Sequence, residues 1–217
     1  MLNTDTRLFV SHHEGGRSTE DFIELFKDME RKRSLTTCLP VFVSDNWDAI
    51  EEALVNVYGM LEQPQYKGRG RKPLPMLVPM SKLKYAQVCK KRRKGRVVAV
   101  VERVVFGKPA EVMHLLGADR DGTINTAYVE RLNLTFRNSL ARFIRRTMNA
   151  SKNPGMHSLA VDFFQGWYNF VKPHKSLRML VNNGKRKWGE RTPVMAEGLT
   201  DHVWTLEELL TFKIPIQ

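Results

Sequence analysis

Apolar positions recur along this chain on two periods, and the switches between them mark its elements. Arg7 to Glu14 is short, apolar and β-prone, ends at Gly15-Gly16, and predicts a strand closed by a turn. Ser18 with Asp21 three residues on is a capping-box start. Phe22, Leu25, Phe26 and Met29 then repeat at helical spacing, predicting an amphipathic helix over Thr19 to Arg33. Pro40 to Ser44 predicts a short buried strand that delivers Asp45 at its C-terminal end. Ile50, Leu54 and Val57 predict a helix over Trp47 to Tyr58, with Glu51 and Glu52 outward. The first 58 residues therefore alternate strand, helix, strand, helix, the pattern of an α/β domain.

The pattern changes at Gly59. Gln63 to Pro79 holds four prolines and two glycines among basic residues and predicts a loop or tether. Two β-prone runs, Leu83 to Lys90 and Arg96 to Phe106, flank Lys91 to Gly95 and predict a hairpin with a positive tip. Pro109 to Leu116 predicts a short helix and Asp119 to Asn125 a turn-rich connection. Leu132, Phe136, Leu140, Phe143 and Ile144 give a long helix from near Thr126 to about Met148, broken by Asn153-Pro154-Gly155. Met156 to Val171 predicts a further helix stopped by Pro173, in which Phe163, Phe164, Trp167, Tyr168 and Phe170 read mostly as a packing face. A basic loop at Lys185 to Lys187, a helix start at Thr192-Pro193 and a short acidic helix over Leu206 to Leu210 complete the chain. These changes suggest four segments: 1–58, 59–125, 126–175 and 176–217.

Composition alters this picture little, but charge alters it considerably. The 217 residues are 42% hydrophobic, enough for a real core, and no apolar run reaches membrane-spanning length, so a cytoplasmic protein without a membrane partner is expected. Cys38 and Cys89 stand far apart without a C-x-x-C neighbour, which makes structural zinc a poor reading and free thiols the expectation. The formal net charge is +12 and suits a polyanionic partner. From Met60 to Val100 there are twelve lysines and arginines against one acid, Glu62. Such a run is either a solvated loop or a nucleic-acid contact, and its position beside a candidate site favours the contact.

Two carboxylates are candidates for chemistry. Asp45 follows a buried strand, where open α/β sheets build their clefts, although an Asp there is commonly the N-cap of the next helix. Glu130 starts the long helix and shares a face with Asn133 and Arg137, while Arg131, Arg142, Arg145 and Arg146 add positive charge. That face reads either as ordinary solvated Glu-Arg pairs or as a metal ligand among phosphate-binding cations. His12 and His13, adjacent on one strand, would point to opposite faces and cannot chelate together. His174 and Lys175 suit either DNA contact or a solvated helix terminus.

The runs S-D-N-W at Ser44 to Trp47, N-T-A-Y-V-E-R-L-N-L-T-F-R at Asn125 to Arg137, W-Y-N-F-V-K-P-H-K-S-L-R at Trp167 to Arg178 and R-T-P-V-M-A-E-G-L-T-D-H-V-W-T-L-E-E-L at Arg191 to Leu209 resemble DDE transposases of bacterial and archaeal insertion sequences, in particular the insertion sequence 1 group. The opening T-D-T-R-L-F-V-S-H-H-E-G-G-R-S-T-E-D fits as well, so the resemblance spans nearly the whole chain. It implies a ribonuclease-H-like, integrase-type core that cleaves DNA and transfers strands with two magnesium or manganese ions held by three acids. Asp45 matches the second acid and Glu130 the third. The first acid, on the family's first strand, has no match, and Asp5 sits on a turn that would point away from the metals. The expected fold is thus α/β, ribonuclease-H-like, lacking its first strands, with a basic β-hairpin insertion and C-terminal helices.

Without those first strands, Arg7 to Glu14 and Pro40 to Ser44 are expected to lack the partners that bridge them. The chain would be an internal-start product, a decayed remnant, or half of a protein completed by another reading frame, and would be inactive alone. The resemblance implies double-stranded DNA, both element ends and target, as partner, a nucleoid-associated location, and a homo-oligomer when complete. Lys90, Lys91, Arg92, Arg93, Lys94, Arg96, Arg131, Asn133, Arg137, Arg145, Arg146, His174 and Lys175 are the expected DNA-binding residues. The rival expectation is a protein that binds DNA through the hairpin and Arg-rich helix without cutting it, a regulator of an intact transposase.

Overall fold

Ser18 sets the first helix as the sequence predicts. Its side chain accepts from the Asp21 N–H while the Asp21 carboxylate accepts from the Ser18 N–H, and helix α1 runs Thr19–Lys32. The computed structural model describes residues 1–33, 38–66, 68–117, 124, 127–144, 146–181 and 187–213, with the Arg92 side chain left aside. The predicted turn at 119–125, apart from Ile124, and most of the basic loop at 185–187 lie outside the described residues. The fold is mixed α/β with a small mixed sheet, and the chain divides into two compact units, Ser11–Thr126 and Met1–Val10 with Ala127–Gln217.

In the first unit, β1 (Val41–Asp45) leads into α2 (Asp48–Tyr58). A two-stranded antiparallel ribbon follows, β2 (Gly59–Glu62) with β3 (Met76–Pro79), and then the long strands β4 (Lys84–Arg93) and β5 (Arg96–Phe106). The sheet order is β1-β4-β5, with β1 parallel to β4 and β4 antiparallel to β5. Period-2 alternation splits β1 between two layers. Phe42 packs edge-on against Phe26 of α1 and beside Tyr58 of α2. Val41 and Val43 lie on the opposite side, against Ala86, Val88, Ile124 and Val112 of α3 (Pro109–Leu115). On the α1 side, Tyr58 Oη donates to Glu30, which also holds Arg33; the Arg33 guanidinium keeps the Glu30 carboxyl below its usual range.

Several expectations are corrected here. Pro40 to Ser44 does not lack a partner, because β4, part of the predicted insertion, pairs with β1 in parallel. The predicted loop at Gln63 to Pro79 ends in a strand, since apolar Met76 to Val78 finds Met60 and Leu61 across a ribbon. Gly59 permits the close exit from α2 into that ribbon: a Cβ there would lie 2.1 Å from the Val55 carbonyl oxygen of α2 and 2.9 Å from Leu77 Cγ of β3. The hairpin turn is tighter than Lys91 to Gly95. Lys94 and Gly95 alone turn the chain, with φ of 48° and 78°, matching the right-handed twist of the arms.

The second unit is mostly helical, with one short antiparallel ribbon of Met179–Leu180 with Trp188–Gly189. Helix α4 (Ala127–Ser139) and helix α5 (Pro154–Gly166), the latter continued by a π-helical turn at Trp167–Val171, pack Leu132, Phe164 and Tyr168 around Phe9. The predicted strand at Arg7 to Glu14 is absent: Arg7 has φ of 60°, and a single antiparallel bridge joins Leu2 to Phe9. Side chains replace a neighbouring strand. Asn169 accepts from the Phe9 N–H and donates to its carbonyl, both at 2.9 Å, and Gln165 donates to the Phe9 and Val10 carbonyls. The predicted helix to Met148 stops at Ser139, where Leu140 turns extended and a 3-10 turn, Ala141–Phe143, folds Phe143 back to 4.4 Å from Phe136. Ring packing overrides the helical period there. Two short helices end the chain, α6 (Pro193–Ala196), capped by Thr192, and α7 (Leu206–Thr211), with a Thr205–Glu208 capping box.

Asn169 is buried, so Asn169→Ala strands the Phe9 N–H without its acceptor. Urea unfolding should show a loss of about 2 kcal/mol, the cost of one buried unsatisfied donor, and a loss below about 0.5 kcal/mol would refute this role.

Candidate nucleic-acid interface and carboxylate sites

Asp45 ends β1 with its side chain exposed. It does not cap α2, whose N-cap is Trp47 without a side-chain hydrogen bond. Its carboxylate makes no hydrogen bond or ion pair among the described residues. The main chain beneath it is held firmly. Gln87 Nε2 donates to Tyr85 Oη (3.1 Å), the Tyr85 hydroxyl to Ser44 Oγ (2.6 Å), and the Ser44 hydroxyl to the Asp45 carbonyl (2.7 Å). With Ser44's proton committed to Asp45, each hydroxyl in this chain has one consistent donor role. Burial pushes the Tyr85 phenol up, so it stays a donor.

The hairpin cations stand close by in the same unit. Asp45 pairs with Val88, and β4 runs five residues past that point through Lys90, Lys91, Arg92 and Arg93. Lys90 is two residues beyond Asp45's partner, about 7 Å along the strand. Lys91, Arg93, Lys94 and Arg96 are exposed. Lys90 shares a face with Val88 and Lys91 takes the other, so charge lies on both faces of the ribbon.

On α4, Leu132 is buried and Glu130 and Arg137 stand nearly opposite it around the helix axis. Glu130, Arg131 and Asn133 are exposed and Arg137 half-buried. Glu130 occupies the first turn, where the helix dipole favours a carboxylate. Arg146 is exposed with φ of 58°, and Arg145 lies outside the described residues.

His174 is not on a solvated terminus. It is half-buried with its ring 4.6 Å from that of Tyr168, and burial, with Lys172 and Arg7 adding repulsion, lowers its pKa to about 4. Lys175 is exposed. Arg7 escaped sequence reading: its guanidinium stacks 3.3 Å over the Tyr128 ring, and its positive φ is strained backbone for an arginine. The Ser44-Tyr85-Gln87 chain was missed too, although a glutamine inside an apolar strand was a visible signal. His12 and His13 are not on a strand, and His13 Nε2 contacts the Asp21 carboxylate at 3.2 Å. Cys38 and Cys89 are free.

The structure therefore brings Asp45 and the hairpin cations together in one unit, and Glu130, Arg131, Asn133, Arg137, Arg146, His174 and Lys175 in the other. Among the described residues, no three of His, Cys, Asp and Glu group as a metal site, and no helix is long and apolar enough to cross a membrane. The chain matches no protein-family model, no curated protein and no solved structure.

A neutral buried His174 makes stability depend on acid. Its folded pKa lies below the unfolded value, so its contribution is full above about pH 6.5 and is lost as pH falls toward about 4. His174→Gln should unfold with a weaker pH dependence between pH 6.5 and 4 than the parent chain, and identical profiles would count against a buried neutral imidazole.

Proposed function

We propose that this chain is a DDE-type DNA transposase segment with a ribonuclease-H-like core, in which Asp45 and Glu130 are the second and third catalytic acids. The observation that carries the reading is the placement of Asp45. A β-α-β crossover puts an uncommitted carboxylate at the C-terminal end of a strand, and the adjacent strand extends beyond it as a basic ribbon. The motif run around Glu130, on the solvent face of α4, supports it further. The outer edge of β1 has no ladder partner among the described residues, and the reading assigns that edge to a strand bearing the first acid, from outside this sequence.

Magnesium or manganese held by the completed acid set would activate the attacking oxygen and stabilise the leaving one. Asp45 suits such a role because its exposed carboxylate has no hydrogen bond or ion pair among the described residues. Water would attack a phosphodiester and release a 3′ hydroxyl, which would then attack target DNA in line. Lys90, Lys91, Arg92, Arg93, Lys94 and Arg96 would hold backbone phosphates of double-stranded DNA, and a two-stranded ribbon fits the major groove. The partner implies a location at the nucleoid.

The test is magnesium- or manganese-dependent nicking and strand transfer on DNA carrying the ends that flank the coding region, with this chain and with an upstream-extended one. The extended chain should be active and should lose activity on Asp45→Ala or Glu130→Ala; full activity in either variant overturns the assignment. The hairpin cations belong to a unit that lacks Glu130, which favours a second reading, a DNA-binding regulator without cleavage; DNA binding by an extended chain that never nicks would select it.

The hairpin's part is tested separately. Replacing Lys91, Arg92, Arg93 and Lys94 with glutamine should flatten the slope of log K against log salt by about 3 to 4 if all four neutralise phosphates. An unchanged slope removes the hairpin from the interface.

A further inference from the structure

The β2–β3 ribbon does not close in a short turn; Gln63 to Pro75 leaves it as an arm. Two side chains fasten that arm to itself. Gln63 Nε2 donates to the Pro73 carbonyl at 2.8 Å, and Tyr66 Oη donates to the Gly70 carbonyl at 3.0 Å. Pro64, Pro73 and Pro75 lower the cost of ordering it, because each fixes φ in the unfolded chain as well as the folded one. The segment is a shaped arm rather than a tether.

At its end stands Gly68-Arg69-Gly70-Arg71-Lys72. Arg69, Arg71 and Lys72 are exposed and make no ion pair or hydrogen bond among the described residues. No acid stands between Glu62 and Glu102 in the sequence to neutralise them. Gly68 and Gly70 take φ of 79° and 86°, and a Cβ built at either would meet nothing within 4 Å. The positive φ calls for glycine, and the open space leaves the main chain bare where another surface can approach it. Nothing inside the chain uses these cations, so their partner lies outside it.

One nucleic-acid surface matches them closely. The minor groove is only about 6 Å wide, so a chain that follows it must be slender, and glycines between arginines make it so. Arginine carries donors and no acceptor. The groove floor offers acceptors alone at A·T pairs, whereas a G·C pair adds the guanine amino group, a donor that arginine cannot accept from. Narrow A·T tracts also concentrate the negative potential that draws arginine in. Arg69 and Arg71, two residues apart, are separated by at most about 7 Å of main chain, the height of about two base steps.

We propose that the Gly68–Lys72 tip is a minor-groove arm that reads A·T-rich double-stranded DNA through Arg69 and Arg71. This assignment rests on the DNA partner of the proposed function but not on cleavage. It adds base preference where the β4–β5 hairpin supplies contacts to the backbone. A two-stranded ribbon fits the major groove and a single glycine-arginine segment the minor one, so the two basic segments of the Ser11–Thr126 unit take different surfaces of a duplex.

The test is binding of the full chain, without metal, to three duplexes of equal length whose central pairs are A·T, G·C or inosine·C. Inosine lacks the guanine amino group, so inosine·C keeps the major groove of G·C and presents a minor-groove floor like that of A·T. The parent should bind the A·T and inosine·C duplexes alike and the G·C duplex at least about fivefold more weakly. Arg69→Ala with Arg71→Ala should bring all three within about twofold of one another, because contacts to phosphate carry no base preference. Replacing Lys91, Arg92, Arg93 and Lys94 with glutamine should weaken all three and keep the preference. Equal binding of the three by the parent, a preference for A·T that inosine·C does not share, or a preference that survives in R69A/R71A overturns the assignment and leaves the DNA partner standing. A parent that binds none of the three removes the DNA partner itself, and the minor-groove arm with it.

Discussion

The parallel pairing of β1 with β4 is the constraint on which the Ser11–Thr126 unit depends. Parallel strands need a long crossover, and here α2 with the β2–β3 ribbon supplies it. The register that results decides everything near Asp45. Ser44 comes opposite Gln87, which lets the Tyr85 hydroxyl reach Ser44 Oγ while the Ser44 hydroxyl donates to the Asp45 carbonyl; Asp45 comes opposite Val88, which leaves the rest of β4 to project beyond β1. A slip of one residue would turn Phe42 away from Phe26 and Tyr58 and set Val41 and Val43 on the wrong layer. The hydrophobic alternation of β1 thus fixes where the basic ribbon begins.

In the helical unit the corresponding constraint is polar. Phe9 is a buried anchor, and its backbone would carry two unsatisfied groups if no strand lay beside it. The Asn169 amide imitates a peptide group and fills both valences, which spares the segment a sheet. The same burial governs His174: packed on Tyr168 and repelled by Lys172 and Arg7, it is held neutral at physiological pH. Its Nε2 is buried without a hydrogen-bond partner among the described residues, so the ring belongs to the packing of this unit.

Elements defined by local chemistry were legible in the sequence. The Ser18 capping box, the Phe22 to Met29 stripe and the apolar run of β1 foretold α1 and β1 to within a residue or two, because caps and periodicity are local signals. What escaped was decided by distant partners. Arg7 to Glu14 has strand composition, but its hydrogen bonds are met by side chains some 160 positions away. Leu140 continues a helical stripe, yet the helix ends at Ser139 because Phe143 gains more by returning to Phe136 and His157. Of the candidate site, the positions of Asp45 and Glu130 were readable as a strand end and a first helical turn. The support under Asp45 was not, since Tyr85 and Gln87 acquire meaning only once β4 lies beside β1.

The hairpin concentrates two properties that usually exclude each other. Its inner strand is basic from Lys90 to Arg93, and its outer strand is valine-rich from Val97 to Val101. Were it only a solvated loop, the valines would have no function and would invite aggregation. Were it only a packing element, the clustered cations would repel one another without compensation. Lys90 to Arg93 lie on β4, between β1 and β5, and the valines on the edge strand β5, so the basic run and the apolar run are carried by different strands of one ribbon.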